Sequence, residues 1–200
     1  MATPNEELLE STRIMLRGKW GQVIITFLIY IVIVEILGNI PEVGQAITLV
    51  LGGPMALGAA IYSLSIARGG EPRSEEIFHG FRFFSKALIA ELLVVILILL
   101  WGLLLIIPGI IAALSYSMTF YILADDQSLD AMQAIDLSKK MMNGYKMKYF
   151  TLSLRYVLLS LLCLLTLGIG FLWLIPYINI VNARFYDDIK GPVVMEHSFS

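Results

Sequence analysis

The sequence is poor in the residues from which most protein chemistry is built. Its 200 residues hold one cysteine and two histidines. Cys163 lies in an apolar run, so an intramolecular disulfide is excluded. His79 and His197 have no cysteine and no second histidine at ligand spacing, so no metal site is expected. There is no Gly-x-x-x-x-Gly-Lys phosphate loop, no His-Glu-x-x-His and no Gly-x-Ser-x-Gly. Neither catalysis nor a cofactor is therefore expected. Charge is scarce as well: Asp, Glu, Lys and Arg make up 15% of the chain, against about 25% in a soluble domain. A net charge of −2 leaves no basic field for nucleic acid.

What the chain has instead is apolar length. Hydrophobic residues make up 58% of it, more than one small water-soluble core can bury, and lipid is the natural solvent for the excess. The fourteen Lys and Arg residues fall at 13–19, 68–86, 139–148, 155 and 184–190. Three long apolar stretches lie between these clusters, each broken by a short turn without a cation. Because basic residues collect on the cytoplasmic face, the expected fold class is all-α: a polytopic integral membrane helical bundle. It would have six transmembrane helices as three hairpins, with cytoplasmic amphipathic helices and both termini cytoplasmic.

Residues 3–20 have the period of an amphipathic helix, opened by a capping box at Thr3 with Pro4 at the first helical position. The first span is expected at 21–37 and, lacking a cleavage site, stays in place as a signal anchor. The second runs over 46–67. Ser74 starts a helix in the cytoplasmic segment 68–86, whose aromatic stretch 77–84 suits the headgroup boundary. A single helix over 87–124 would reach about 57 Å at 1.5 Å per residue, against about 30 Å of hydrocarbon. It must fold back, and Pro108-Gly109 is the expected breaker, giving spans at 87–107 and 110–124. Ser128 is the expected N-cap of a third amphipathic helix at 129–147, whose basic end suits an anionic inner leaflet. Spans at 149–166 and 171–186 follow, and a flexible tail begins at 191. Gly18, Gly80 and Gly144 mark a possible threefold repeat (3–70, 74–126, 128–190) within a single membrane domain.

Charged groups inside spans are expensive, about 2.5–3.5 kcal/mol at mid-bilayer, so each is a candidate. Glu91 and Arg155 each lie eleven residues past their marker glycine; they either pair between helices or reach the interface separately. Glu35 is either a proton or cation site or a neighbour of Glu42 in the outer headgroup layer. Gly52, Ala56, Ala60, Ser63 and Ala67 form a small-residue stripe suited to close helix packing, beside a bend at Pro54. Tyr177, Asn179 and Asn182 either bond across the bundle or line a cavity.

Several segments carry a resemblance: 104–116, reading Leu-Leu-Ile-Ile-Pro-Gly-Ile-Ile-Ala-Ala-Leu-Ser-Tyr; Tyr121 to Asp125; Ala134 to Ser138; Met141 to Gly144; and 167–177. In these the chain resembles the bacterial membrane family called domain of unknown function 975, which is similar to membrane domains of some glycerophosphodiester phosphodiesterases. The phosphodiesterase catalytic domain has no counterpart. The resemblance implies a bacterial cytoplasmic-membrane protein and supplies no catalytic residue. The expected function is non-enzymatic handling or export of a lipid or other amphiphile. The alternative is an interaction or scaffold subunit in a homo-oligomer or larger complex. Membrane lipids are the expected partners, with a second copy or another membrane protein, and no nucleic acid.

Overall fold

In hydrocarbon a backbone must satisfy its own polar groups, and a helix does so within one segment. The computed structural model describes residues 2–190, and these are helical with no strand. The elements are α1 (Asn5–Met15), α2 (Trp20–Gly38), α3 (Gly44–Ala67), a 3-10 helix (Ser74–Phe83), α4 (Phe84–Leu104), α5 (Ile106–Tyr116), α6 (Thr119–Asp125), α7 (Ala131–Met141), α8 (Lys146–Leu165) and α9 (Phe171–Ile189). His197 and the tail expected to be flexible lie outside the described residues.

Five segments are long and apolar enough to cross a membrane: Trp20–Gly38, Gly44–Ala67, Ser74–Leu104, Ile106–Asp125 and Lys146–Leu165. Helix α9 is as long as α2 but carries Arg184, Asp187 and Asp188 in its last turns.

Local chemistry corrects several expected boundaries. Pro4 is the N-cap of α1 and no side chain caps that end; Thr3 is drawn away to Asp188 on α9, to which its hydroxyl donates at 2.6 Å. Asp130, not Ser128, caps α7, in a reciprocal capping box with Gln133. Ser128 instead donates to Asp126. Between α4 and α5 the chain reverses at Leu105, in extended backbone at φ −163° and ψ 144°. Pro108 is not the breaker; it sits in the first turn of α5, where a missing N–H costs nothing. Gly109 permits the tight reversal: a Cβ there would stand 2.8 Å from Gly102 Cα.

The fourth apolar segment is itself broken, between Tyr116 and Thr119. A break frees backbone groups that lipid cannot satisfy. Ser138, fully buried on α7, repairs it: its Oγ donates to the Ser115 carbonyl at 2.8 Å and accepts from the Met118 N–H at 3.2 Å. The apolar face of α7 (Ala131, Ala134, Ile135, Leu137, Met141) is thus buried in the bundle.

The core forms around the second half of α3. Leu57, Ala60 and Leu64 pack with Ile122, Val181, Phe185 and Tyr186. The 3-10 helix packs backbone against backbone on the same stretch. A Cβ on Gly58 would overlap the Ile77 carbonyl, and one on Gly80 the Pro54 carbonyl. Only hydrogen fits at either position. Of the three marker glycines, Gly18 and Gly144 are left-handed, at φ 82° and 87°, each between a short helix and a long one. Gly80 lies inside the 3-10 helix, so the middle segment departs from the other two.

An ion-paired cluster joins the ends of α3, α6 and α9 to the starts of α1 and α8. Arg68 reaches Asp125 Oδ1 and Asp187 Oδ1, both at 2.7 Å. Asp125 also accepts from the Tyr186 hydroxyl at 2.9 Å and from Lys190. Asp188 meets Lys148 at 2.8 Å and the Thr3 N–H at 2.8 Å. Burial works against ionisation of Asp188, but the hydrogen bonds from Lys148 and Thr3 outweigh it and hold its carboxyl below the ordinary carboxylate range.

Candidate functional site

Two concavities outside this core each set a single charged side chain among mostly apolar ones. The first is a cavity of about 310 Å³ between α2, α3, α4 and the 3-10 helix. Tyr30, Ile33, Val34 and Leu37 line it from α2, and Thr48, Leu51, Gly52, Met55 and Ala56 from α3. Glu91 enters from α4, one turn past Ala87, and is the only charged side chain in the lining. A 3-10 helix repeats every three residues, so Phe78 and Phe81 share a face and complete the wall, while Ile77 and Gly80 on another face press against α3.

Glu91 does not pair with Arg155. Arg155 Nη2 instead meets Glu6 Oε1 on α1 at 2.9 Å. Glu6 is 82% exposed, so that bridge contributes no more than about 1 kcal/mol. The expected partners lie on different flanks of the bundle: Glu91 faces α3, where a Cβ at Gly52 would stand 3.5 Å from its Oε1. Among the described residues the Glu91 carboxylate has no ion-pair partner within 4.0 Å.

The small-residue stripe divides in two. Ala60 is 2% exposed and packs in the core, whereas Gly52 and Ala56 face the cavity. The close helix approach falls to the neighbouring Gly53, where a Cβ would overlap the Ala87 carbonyl, and to Gly58. A stripe drawn at four-residue spacing picks one face of α3, and the closest contacts lie on the adjoining one.

The second concavity is an open cleft of about 490 Å³ lined from α1, α2, α8 and α9. Arg13 lies beside the α1–α2 joint; Thr166 and Gly170 come from the α8–α9 turn. Trp20, Leu159, Leu162, Cys163, Trp173, Leu174 and Tyr177 supply the rest of the lining. The Trp20 and Tyr177 rings pack with centroids 6.3 Å apart, and the Tyr177 hydroxyl donates to the Leu9 carbonyl at 2.8 Å. Arg13 is the sole charged residue of the cleft. Sequence reasoning missed this site because Arg13 and Trp20 are some 150 residues from Trp173 and Tyr177, and no periodicity links them.

The remaining candidates lie elsewhere. Glu35 is exposed near the end of α2, where its backbone carbonyl accepts from Asn39 Nδ2 at 2.8 Å. Asn182 Oδ1 accepts from the Tyr156 hydroxyl of α8 at 3.1 Å, and the Asn179 carbonyl from Tyr121 of α6 at 3.2 Å. The Asn182 side chain thus bonds across helices, whereas the Asn179 side chain donates within α9, to the Ile175 carbonyl at 2.9 Å, and only its backbone carbonyl reaches α6. No group of three or more His, Cys, Asp or Glu able to hold a metal occurs among the described residues.

A family model described as "Protein of unknown function (DUF975)" matches residues 1–112 and 102–192. The chain belongs to that family. No curated protein and no solved structure matches it.

Proposed function

We propose that this DUF975 member handles an anionic amphiphile, a phospholipid or a molecule built like one, in the cleft capped by Arg13. The protein would lie in the bacterial cytoplasmic membrane and cross it six times as three hairpins, the sixth crossing within 171–186. Both termini and both long loops would be cytoplasmic. The topology is supported by the ion-paired cluster, which gathers the ends of α3, α6 and α9 at one end of the molecule. An even number of crossings separates each of those ends from the next. Labelling of intact cells in a Cys163→Ser background checks it: Glu42→Cys and Ile169→Cys should react with an impermeant thiol reagent and Ser128→Cys should not. The reverse pattern sinks the topology.

The observation that carries the ligand reading is the composition of the cleft. One cation marks one end, tryptophan and leucine line most of its length, and nothing else in it is charged. That is the complement of an anionic head on an apolar chain. Handling requires no reacting group in the protein, and the cleft contains no paired acid and base. The assembly alternative loses its strongest support, since the α3 stripe is used within the chain by Ala60 and by the cavity.

Native mass spectrometry from mild detergent tests the reading. The wild-type protein should retain phosphatidylglycerol over phosphatidylcholine, and Arg13→Gln should abolish the preference. Equal retention of both lipids, or a preference indifferent to Arg13, overturns it. The same spectra report oligomeric state: a dominant dimer would favour the assembly reading.

A further inference from the structure

The Glu91 cavity is separate from the cleft and has the opposite sign. Its lining offers one carboxylate, three aromatic rings (Tyr30, Phe78, Phe81) and otherwise aliphatic side chains with Thr48. Thr48 already donates its hydroxyl to the Gly44 carbonyl at 2.9 Å. Lys86, the cation one turn before Ala90 on the same helix, is turned away and donates to the Gln127 carbonyl at 2.7 Å. The chain therefore places a carboxylate in a largely apolar hollow and brings no cation to it. An unpaired carboxylate in such surroundings is costly, and a counter-charge from outside relieves the cost. The ring faces carry negative quadrupole potential and attract the same sign of guest. Gly52 leaves space in front of the carboxylate: a methyl there would lie in ordinary van der Waals contact with Oε1, at 3.5 Å. A volume of about 310 Å³ admits a compact organic molecule.

We propose that the cavity binds an organic ammonium group, its charge against the Glu91 carboxylate and its apolar body among Tyr30, Phe78 and Phe81. The carboxylate supplies attraction for the charge, the aromatic wall selects a weakly hydrated, apolar-substituted cation over a bare metal ion, and Gly52 with Ala56 leaves the room. The ammonium can belong to a free amine or to an aminolipid head, and the chemistry at Glu91 is the same.

Isothermal titration of the purified full chain in nanodiscs of phosphatidylcholine tests this with two probes of equal shape, adamantylamine and its uncharged counterpart adamantanol. The amine should bind the wild-type protein about tenfold or more tightly than the alcohol. Glu91→Gln, which keeps the side-chain shape, should erase that preference while leaving the melting temperature of the unliganded protein close to wild type. Ala56→Phe, which fills the hollow, should abolish binding of both probes. Equal affinity of wild-type protein for amine and alcohol overturns the proposal and needs no variant, so it stands even where a substitution disturbs folding. An amine preference that persists in Glu91→Gln overturns it too. Phosphatidylethanolamine in the nanodiscs separates the two sources: competition with the amine assigns the cavity to an aminolipid head, and unchanged affinity assigns it to a free amine. The cleft reading does not enter this outcome, because Arg13 lines none of the cavity.

Discussion

The two ends of the molecule are built on different principles. At one end Arg68, Asp125, Asp187, Asp188, Lys148 and Lys190 are cross-linked above a tightly packed core of α3, α6, α7 and α9. At the other, the helices present bare aliphatic surface: Leu103 is 88% exposed and Leu167 95%. In water the second end would be an aggregation surface; in hydrocarbon it is simply solvated. The contrast teaches where specificity resides. The packed end fixes how the helices meet, because polar and backbone contacts there have one geometry. The leucine-rich end offers only apolar surface, which sets no single geometry.

The largest expected effect comes from inserting volume at the packed end. Gly58→Leu forces a side chain into the Ile77 carbonyl, and no rotamer avoids it. It should prevent recovery of folded protein from membranes, whereas Leu165→Ala, at the bare end, should leave recovery and melting temperature unchanged. Next is Asp125→Ala, which leaves Lys190 and Tyr186 without their shared acceptor and Arg68 with Asp187 alone. Breaking a well-buried pair costs about 3–5 kcal/mol; with Arg68 43% exposed, about 1–3 kcal/mol is expected, read as a lowered melting temperature in detergent. Ser138→Ala removes the bridge across the α5–α6 break and should cost about 1–3 kcal/mol, with faster amide exchange at Met118 as its local signature. Smallest is an acid effect at Asp188. Its folded carboxyl is held below its unfolded value, so its contribution is present above about pH 4 and lost as pH falls through the folded value. Amide exchange of α1, corrected for intrinsic rate, should rise on acidification, and Asp188→Asn should show that looser α1 already at neutral pH. An α1 indifferent to both would detach Thr3 and Lys148 from any role in docking it.

Much of the fold was legible in one dimension. Apolar length and the placement of cations marked the long helices to within a few residues, and the turn expected at 38–45 came with them, whereas the helix expected over 129–147 ends at Met141. The misses share a cause. Thr3 and Ser128 fit local capping rules but found better acceptors in Asp188 and Asp126. Pro108 is a breaker by local rule, yet the chain turned three residues earlier, where Gly102 and Gly109 let two helices touch. Glu91 and Arg155 stood at matching depth in their segments, but depth says nothing of azimuth around a bundle. Their true neighbours, Gly52 and Glu6, could not be found by spacing.

By itself the sequence determined the long apolar helices and the clusters of charge between them, because such helices follow from the free energy of transferring single residues or single segments between water and lipid. Only the tertiary structure decided which faces meet. Backbone approach at Gly53, Gly58 and Gly80, the hydroxyl of Ser138 across a broken helix, and a lone carboxylate facing three aromatic rings all depend on pairs of groups distant in the chain. No transfer energy, summed residue by residue, specifies such pairs.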